Sequence, residues 1–176
     1  MKTDFMDPKD IVILVDESKN LVLFPTGKGP KLEDDIYNTQ EFSYGVSYHP
    51  IELPFPYDLS ELADKIKEAI EAVDQYPMYH RFDGKDTFEE KYYGIKGFKA
   101  AVKGKRHISL GWNHMFGKTV SLMLPLKRGY GYIGVERIEL DEEADWMDFA
   151  KAVYKLVNVT LEDTESFKTF KKNINL

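Results

Sequence analysis

The residues best suited to reactive chemistry in this chain are four histidines, His49, His80, His107 and His114. Imidazole titrates near neutral pH, so it can hold a metal or move a proton. A zinc site needs three or four ligands, usually with thiolates or carboxylates at defined spacing. The chain has no cysteine, which removes thiolate zinc sites, iron–sulfur clusters, thiol nucleophiles and disulfides together. His107 and His114 bracket an expected strand, seven residues apart. An odd separation on a strand sends side chains to opposite faces, so these two make no ligand pair there. No His-Glu-x-x-His spacing occurs. The reading is a protein with no metal and no cofactor.

Proton transfer needs two groups within hydrogen-bond reach of one substrate. A nuclease-like pair would come from His107, His114, Lys105 and Lys118, and nothing in their spacing makes any two converge. There is no Gly-x-Ser-x-Gly elbow. Gly27-Lys28-Gly29 lacks the Gly-x-x-x-x-Gly-Lys-Ser/Thr spacing of a phosphate cradle. It falls in Pro25-Thr26-Gly27-Lys28-Gly29-Pro30, which reads as a loop. The chain is therefore read as non-catalytic, with a small enzyme ranked behind two binding functions.

Charge gives the binding readings their shape. Lys91 to Val135 holds nine basic residues and no acidic one, in a chain whose net charge is −6. The remainder is strongly acidic, and fields of this kind steer partners of opposite sign. The basic stretch also carries Tyr92, Tyr93, Phe98, Trp112, Phe116, Tyr130 and Tyr132. A basic sheet with aromatic platforms can hold single-stranded nucleic acid, although overall acidity makes nucleic acid the lesser reading. Five carboxylates crowd into Asp141-Glu142-Glu143-Ala144-Asp145-Trp146-Met147-Asp148, and residues 33–35 add three more. Such a surface suits occlusion of a basic nuclease cleft. Helix capping and solubility account for the same residues.

These groups must be positioned by ordinary elements. Ile11–Val15 and Leu21–Phe24 flank a polar turn and read as a hairpin with a strand covered on both sides. Phe42–Tyr48 alternates as a strand, with Gly45 as a bulge. Asp58 caps a helix with Glu61 completing a capping box, and Leu59, Leu62, Ala63, Ile66, Ala69, Ile70 and Val73 form its buried stripe. Asp86–Tyr93 reads as a short helix ending at Gly94. Residues 98–140 read as the central antiparallel meander of roughly four strands, the last running from Tyr130 to Leu140. Asp141 is the expected cap of a second helix, whose stripe is Trp146, Phe149, Ala150, Val153, Leu156 and Val157. Residues 160–176 are either a short docked helix or a mobile tail. The 176 residues suit one domain: α+β, a mainly antiparallel sheet under two principal amphipathic helices. The polar start, Met1 to Pro8, lacks the apolar core of a signal peptide, and no run is long enough to cross a bilayer. A cytoplasmic protein is expected, with no membrane partner.

The hairpin start, the proline-flanked helix in Phe55-Pro56-Tyr57-Asp58-Leu59-Ser60-Glu61-Leu62, and Gly131-Tyr132-Ile133-Gly134-Val135-Glu136-Arg137-Ile138 before an acidic helix start form one ordered set. In that order the chain resembles the immunity proteins of bacterial contact-dependent growth inhibition. The resemblance implies a monomer that binds one cognate toxin domain, usually a nuclease, one-to-one and neutralises it. It also implies a mode in which a toxin β-hairpin extends the immunity protein's sheet through backbone hydrogen bonds. The partner-binding residues expected on this reading are Trp112, Arg128, Tyr130, Tyr132, Asp141, Glu142, Glu143 and Asp145, with an open edge near Trp112 or Tyr130–Tyr132. A basic stretch does not match an acidic inhibitor over a basic cleft, so the surface used is the open question.

Overall fold

The computed structural model describes residues 10–29, 43–47, 49–80, 82–83, 86–113 and 117–176. The two β-branched runs near the start form the expected hairpin, with β1 (Asp10–Val15) antiparallel to β2 (Leu21–Gly29). The Asp16 carboxylate closes its turn by accepting from Asn20 N–H and Nδ2 at 3.0 and 2.9 Å. Along the chain follow β3 (Ser43–Ser47), β4 (Ile51–Leu53), α1 (Leu59–Glu71), β5 (Met78–His80), β6 (Phe82–Asp83), β7 (Asp86–Thr87), α2 (Phe88–Tyr93) and α3 (Phe98–Val102). Then come β8 (Arg106–Asn113), β9 (Gly117–Pro125), β10 (Tyr132–Leu140), α4 (Trp146–Asn158) and α5 (Glu165–Phe170). The described strands form one antiparallel sheet in the order β10-β9-β8-β1-β2-β3-β5, with β4 also on β2 and β6–β7 a separate pair. The fold is α+β.

Burial explains the layers. Ile11, Ile13, Leu23, Ile108, Leu110, Val120 and Leu122 present one face of the sheet to α1 and α4. The helices answer with Leu62, Ile66 and Ile70 from α1, and Phe149, Val153 and Leu156 from α4. Each such side chain, fully buried, contributes about 1.5–3 kcal/mol, so this interface carries the fold. The other face is covered over β1–β3 by a smaller cluster, Leu14, Val22, Phe24, Val46 and Phe88, with Tyr92 and Tyr93 against it. Phe24 meets Phe88 and Tyr92 edge-on at 5.0 and 5.3 Å. The continuous apolar run of β1 is thus a strand covered on both sides, as its sequence implies.

Helix α1 has the predicted cap: Asp58 accepts from Glu61 N–H at 2.8 Å and Glu61 returns the bond to Asp58 N–H at 2.8 Å. Helix α2 is capped likewise by Thr87 and Glu90, and Gly94 ends it at φ 63°.

Elsewhere the structure corrects the sequence reading. Phe98–Val102 is helix α3, because Phe98, Ala101 and Val102 recur at helical spacing and are buried. The meander therefore supplies three strands, and the sheet's centre is β1 paired with β8, Ile13 opposite Ile108. The expected loop from Pro25 continues β2 to Gly29. Pro25 lies in the gap where β2's outer neighbour changes from β4 to β3, a place that tolerates a missing donor. Gly45 keeps regular register with Gly27 and His80. It is a site of close approach, where an added Cβ would lie 2.7 Å from the Gly29 Cα and the Met78 Cβ. The cap of α4 is Asp145, not Asp141. Asp145 accepts from Asp148 N–H at 3.0 Å, while Ala144 N–H closes a turn on the Asp141 carbonyl at 3.0 Å.

The tail is docked. Phe167 of α5 is buried in the principal core. Residues 173–175 run beside the end of β9, with Lys127 N–H donating to the Asn173 carbonyl and Asn175 N–H to that of Pro125, at 2.6 and 2.8 Å. No described helix is long and apolar enough to cross a membrane.

Candidate functional site at the edge of the sheet

All but one of the residues expected to bind a partner lie at the two ends of β10. This strand ends the sheet: among the described residues it pairs with β9 alone. Nine residues at about 3.3 Å each give an edge about 30 Å long. One extra residue between Gly134 and Glu136 bulges the strand and delivers Val135, 2% exposed, into the core. Beyond the bulge, Glu136–Leu140 keeps regular register with β9. Trp112 does not belong to this site. It lies in β8, opposite Lys118 of β9 and two strands in from β10, past the last described pair with β1, Ile11 opposite Leu110. Its side chain falls outside the described residues.

The β9–β10 connection builds the first end. Leu126 N–H bonds the Gly131 carbonyl at 3.0 Å, and Gly129 and Gly131 supply the positive φ values, 79° and 146°, that the turn requires. This turn holds Tyr130 out, 71% exposed, its ring tilted against Phe98 at 5.6 Å. Lys127 and Arg128 join Lys172 and Phe170 from the tail around a cleft of ≈ 490 Å³ floored by Leu126 and Ile133. Tyr132 has a different part. Its hydroxyl donates to the buried Glu89 at 2.7 Å, and His107 lies edge-on to its ring at 4.1 Å. Tyr132 anchors the start of β10 to α2 and β8 as a structural residue.

The second end is acidic. Asp141, Glu142 and Glu143 are exposed on the turn into α4, and Lys118 fixes that turn by donating to the Ala144 carbonyl at 2.7 Å. Asp145 is taken up by the helix cap. The Asp145 N–H in turn holds the Asp148 carboxyl below its usual range, helped by Lys151. Beside the turn, Ile138, Leu140 and Ala152 floor a groove of ≈ 350 Å³ between β10 and α4. On the opposite face of the strand Arg137 Nε lies 3.8 Å from Glu139 Oε1, both side chains exposed.

The basic stretch is not one surface. Arg106 donates to the Leu156 and Val159 carbonyls at 2.8 and 3.0 Å, neutralising the end of α4. Lys105 lies 4.1 Å over the Tyr93 ring, where burial lowers its pKa against the pull of Asp16 and Glu17. Tyr92 and Tyr93 belong to the second core, and burial raises both phenol pKa values. Lys96, Lys99 and Lys103 are exposed around α3. Of the groups weighed for chemistry, His107 is buried against Tyr132, and His49 stacks on Tyr76 at 4.3 Å beside Glu68 and Glu71. His114, Phe116, residues 33–35 and the His80 side chain lie outside the described residues. Among the described residues no three His, Cys, Asp or Glu converge to hold a metal ion.

Sequence reasoning missed Lys172 and Phe170 as members of the first end and Arg137 and Glu139 as members of the edge. Alternation could have flagged the latter pair: two charges at i, i+2 share one face of a strand.

No protein-family model and no curated protein matches this chain. A solved structure, a protein of unknown function from Neisseria meningitidis, is similar to it with a TM-score of 0.49 at 12% identity, covering 90% of this chain and 98% of that one.

Proposed function

We propose that this chain is a non-catalytic immunity protein of the cytoplasm that binds a cognate toxin domain, a nuclease, and neutralises it by taking a toxin β-strand onto β10. The observation that supports this reading is the long outer edge of β10, set between an aromatic, basic turn and an acidic one. An incoming strand gains backbone hydrogen bonds, each worth about 0.5–1.5 kcal/mol net. The clefts at the two ends offer side-chain pockets that set specificity. The test is co-expression with the toxin domain encoded immediately upstream of the gene. Survival of the cells and a one-to-one complex of the purified pair are expected. A folded, expressed chain that neither protects nor binds would end the reading.

One observation favours a second function. Tyr130 stands exposed in a cleft shared with Lys99, on the turn that also carries Arg128, a ring near cations on which a base of single-stranded nucleic acid could stack. Affinity for oligo(dT) that falls steeply with salt would support it, since phosphate contacts release counterions.

A further inference from the structure

The exposed charges of β10 are complementary to themselves. About a two-fold axis at Ile138, an antiparallel copy of the strand places Arg137 opposite Glu139 of the second copy, and Glu139 opposite its Arg137. Directly opposed residues in an antiparallel pair share a face, so each Arg137, already 3.8 Å from Glu139 of its own chain, gains a second carboxylate across the pair. Ile138 meets its own copy on the other face, beside the groove that Leu140 and Ala152 floor. The same operation sets Asp141–Glu143 of the second copy opposite residues 135–133, on the side of the turn that carries Lys127 and Arg128. These two ends are separated by about 30 Å along the strand. The Debye length at physiological salt is about 8 Å, so each end acts locally instead of cancelling the other.

Charges and bulges usually protect an edge by setting like charge or irregular backbone against an approaching strand. Here the bulge at Gly134–Glu136 does limit pairing, and it confines the regular segment to Glu136–Leu140. Within that segment the charges attract a second copy.

We propose that two copies of this chain pair β10 to β10 about a two-fold axis at Ile138, joining their sheets into one. The pairing does not depend on the toxin reading, since both partners are this chain, and it replaces the monomer expected from sequence for the free protein. The short paired segment makes the dimer reversible, with a dissociation constant between roughly 10 µM and 1 mM.

Sedimentation equilibrium of the full chain, the variants Arg137→Glu and Glu139→Arg, and their mixture tests this. Both residues are exposed, so each variant should fold, which circular dichroism and thermal melting verify. Each variant alone sets like charges opposite and should weaken self-association roughly ten- to hundredfold. In an equimolar mixture the paired carboxylates of the Arg137→Glu chain face the paired guanidinium groups of the Glu139→Arg chain. The mixture should therefore regain dimer as a heterodimer. A wild-type chain monomeric up to about 1 mM overturns the proposal. So does a dimer that neither reversal weakens, or a mixture no more associated than its components.

Discussion

Among the described residues the sheet ends unlike on its two sides. β4 and β5 close one side with three residues each, Ile51–Leu53 and Met78–His80, whereas β10 closes the other with nine. A strand of three residues offers little template to another chain, and shortness is itself protection. The long edge is handled differently. It is anchored at its start through Tyr132 and Glu89, supported from below by α5, bulged in the middle and fastened at its end by the turn before α4. These contacts hold a nine-residue edge in one geometry, and among the described residues β9 is the one strand paired with it. An edge so maintained is the one that both proposed pairings would use.

The contrast can be broken from beneath. Phe167 is 1% exposed, and Phe167→Ala should cost about 3–5 kcal/mol of stability in urea unfolding. The matched change beside the short edge, Tyr76→Ala, removes a ring 41% exposed and should stay within about 0.5 kcal/mol. Equal losses at both places would mean that α5 does not support the long edge. Next in size is the anchor. Tyr132→Phe deletes the hydroxyl that donates to buried Glu89 and should destabilise by about 1–3 kcal/mol. Amide exchange should then quicken along β10 first, while β1 and β8 remain protected; a uniform change would show that Tyr132 is not specific to the edge.

Smaller effects sharpen the acidic end. Asp145→Ala removes a helix cap and should cost about 1 kcal/mol, whereas Asp141→Ala, at an exposed turn, should be near neutral in the same denaturant titration. The reverse order would restore Asp141 as the cap. The smallest effect is in acid. Glu90 accepts from Thr87 and Gly97 N–H at 2.9 and 2.6 Å, and these backbone bonds, that of Thr87 foremost, hold its pKa below the usual value. A depressed carboxyl contributes stability that is complete above its unfolded pKa, about 4.3 for Glu, and is lost as pH falls through the lower folded value. Glu90→Gln should therefore flatten the decline of melting temperature below about pH 4.3 and leave it unchanged in form above. An identical acid limb in both proteins would remove Glu90 from the account.

The legibility of these features followed how local their causes were. α1 could be read because its cap, its box partner and its stripe all lie within one segment. The α4 cap could not, because Asp141, Glu142, Glu143 and Asp145 offer similar chemistry. The choice fell to Lys118, a residue of β9 bonding the Ala144 carbonyl. α3 was hidden because five residues with three apolar positions fit helix and strand alike. The basic stretch misled for the same reason in reverse. Its residues share a sign along the chain, yet Arg106 serves α4, Lys105 serves Tyr93 and Lys127 turns toward the tail. Of the expected site, Arg128, Tyr130 and Asp141–Glu143 were legible as exposed charge and aromatic. That β10 joins them required the strand order, which periodicity does not contain.

That strand order also sets a timetable. Ile13 pairs with Ile108 at the middle of the sheet, so the hairpin made first must wait for a strand made much later. At roughly 5–20 residues per second of synthesis, the wait is about 5–20 s. Throughout it Ile11, Ile13, Leu21 and Leu23 have no strand from β8 and no α4 to cover them. A nascent chain stalled before β8 should therefore be digested readily by protease and hold a chaperone, while the full chain held on the ribosome by an added C-terminal linker should do neither. For a protein of this topology, the interval on the ribosome is when it is most exposed to aggregation.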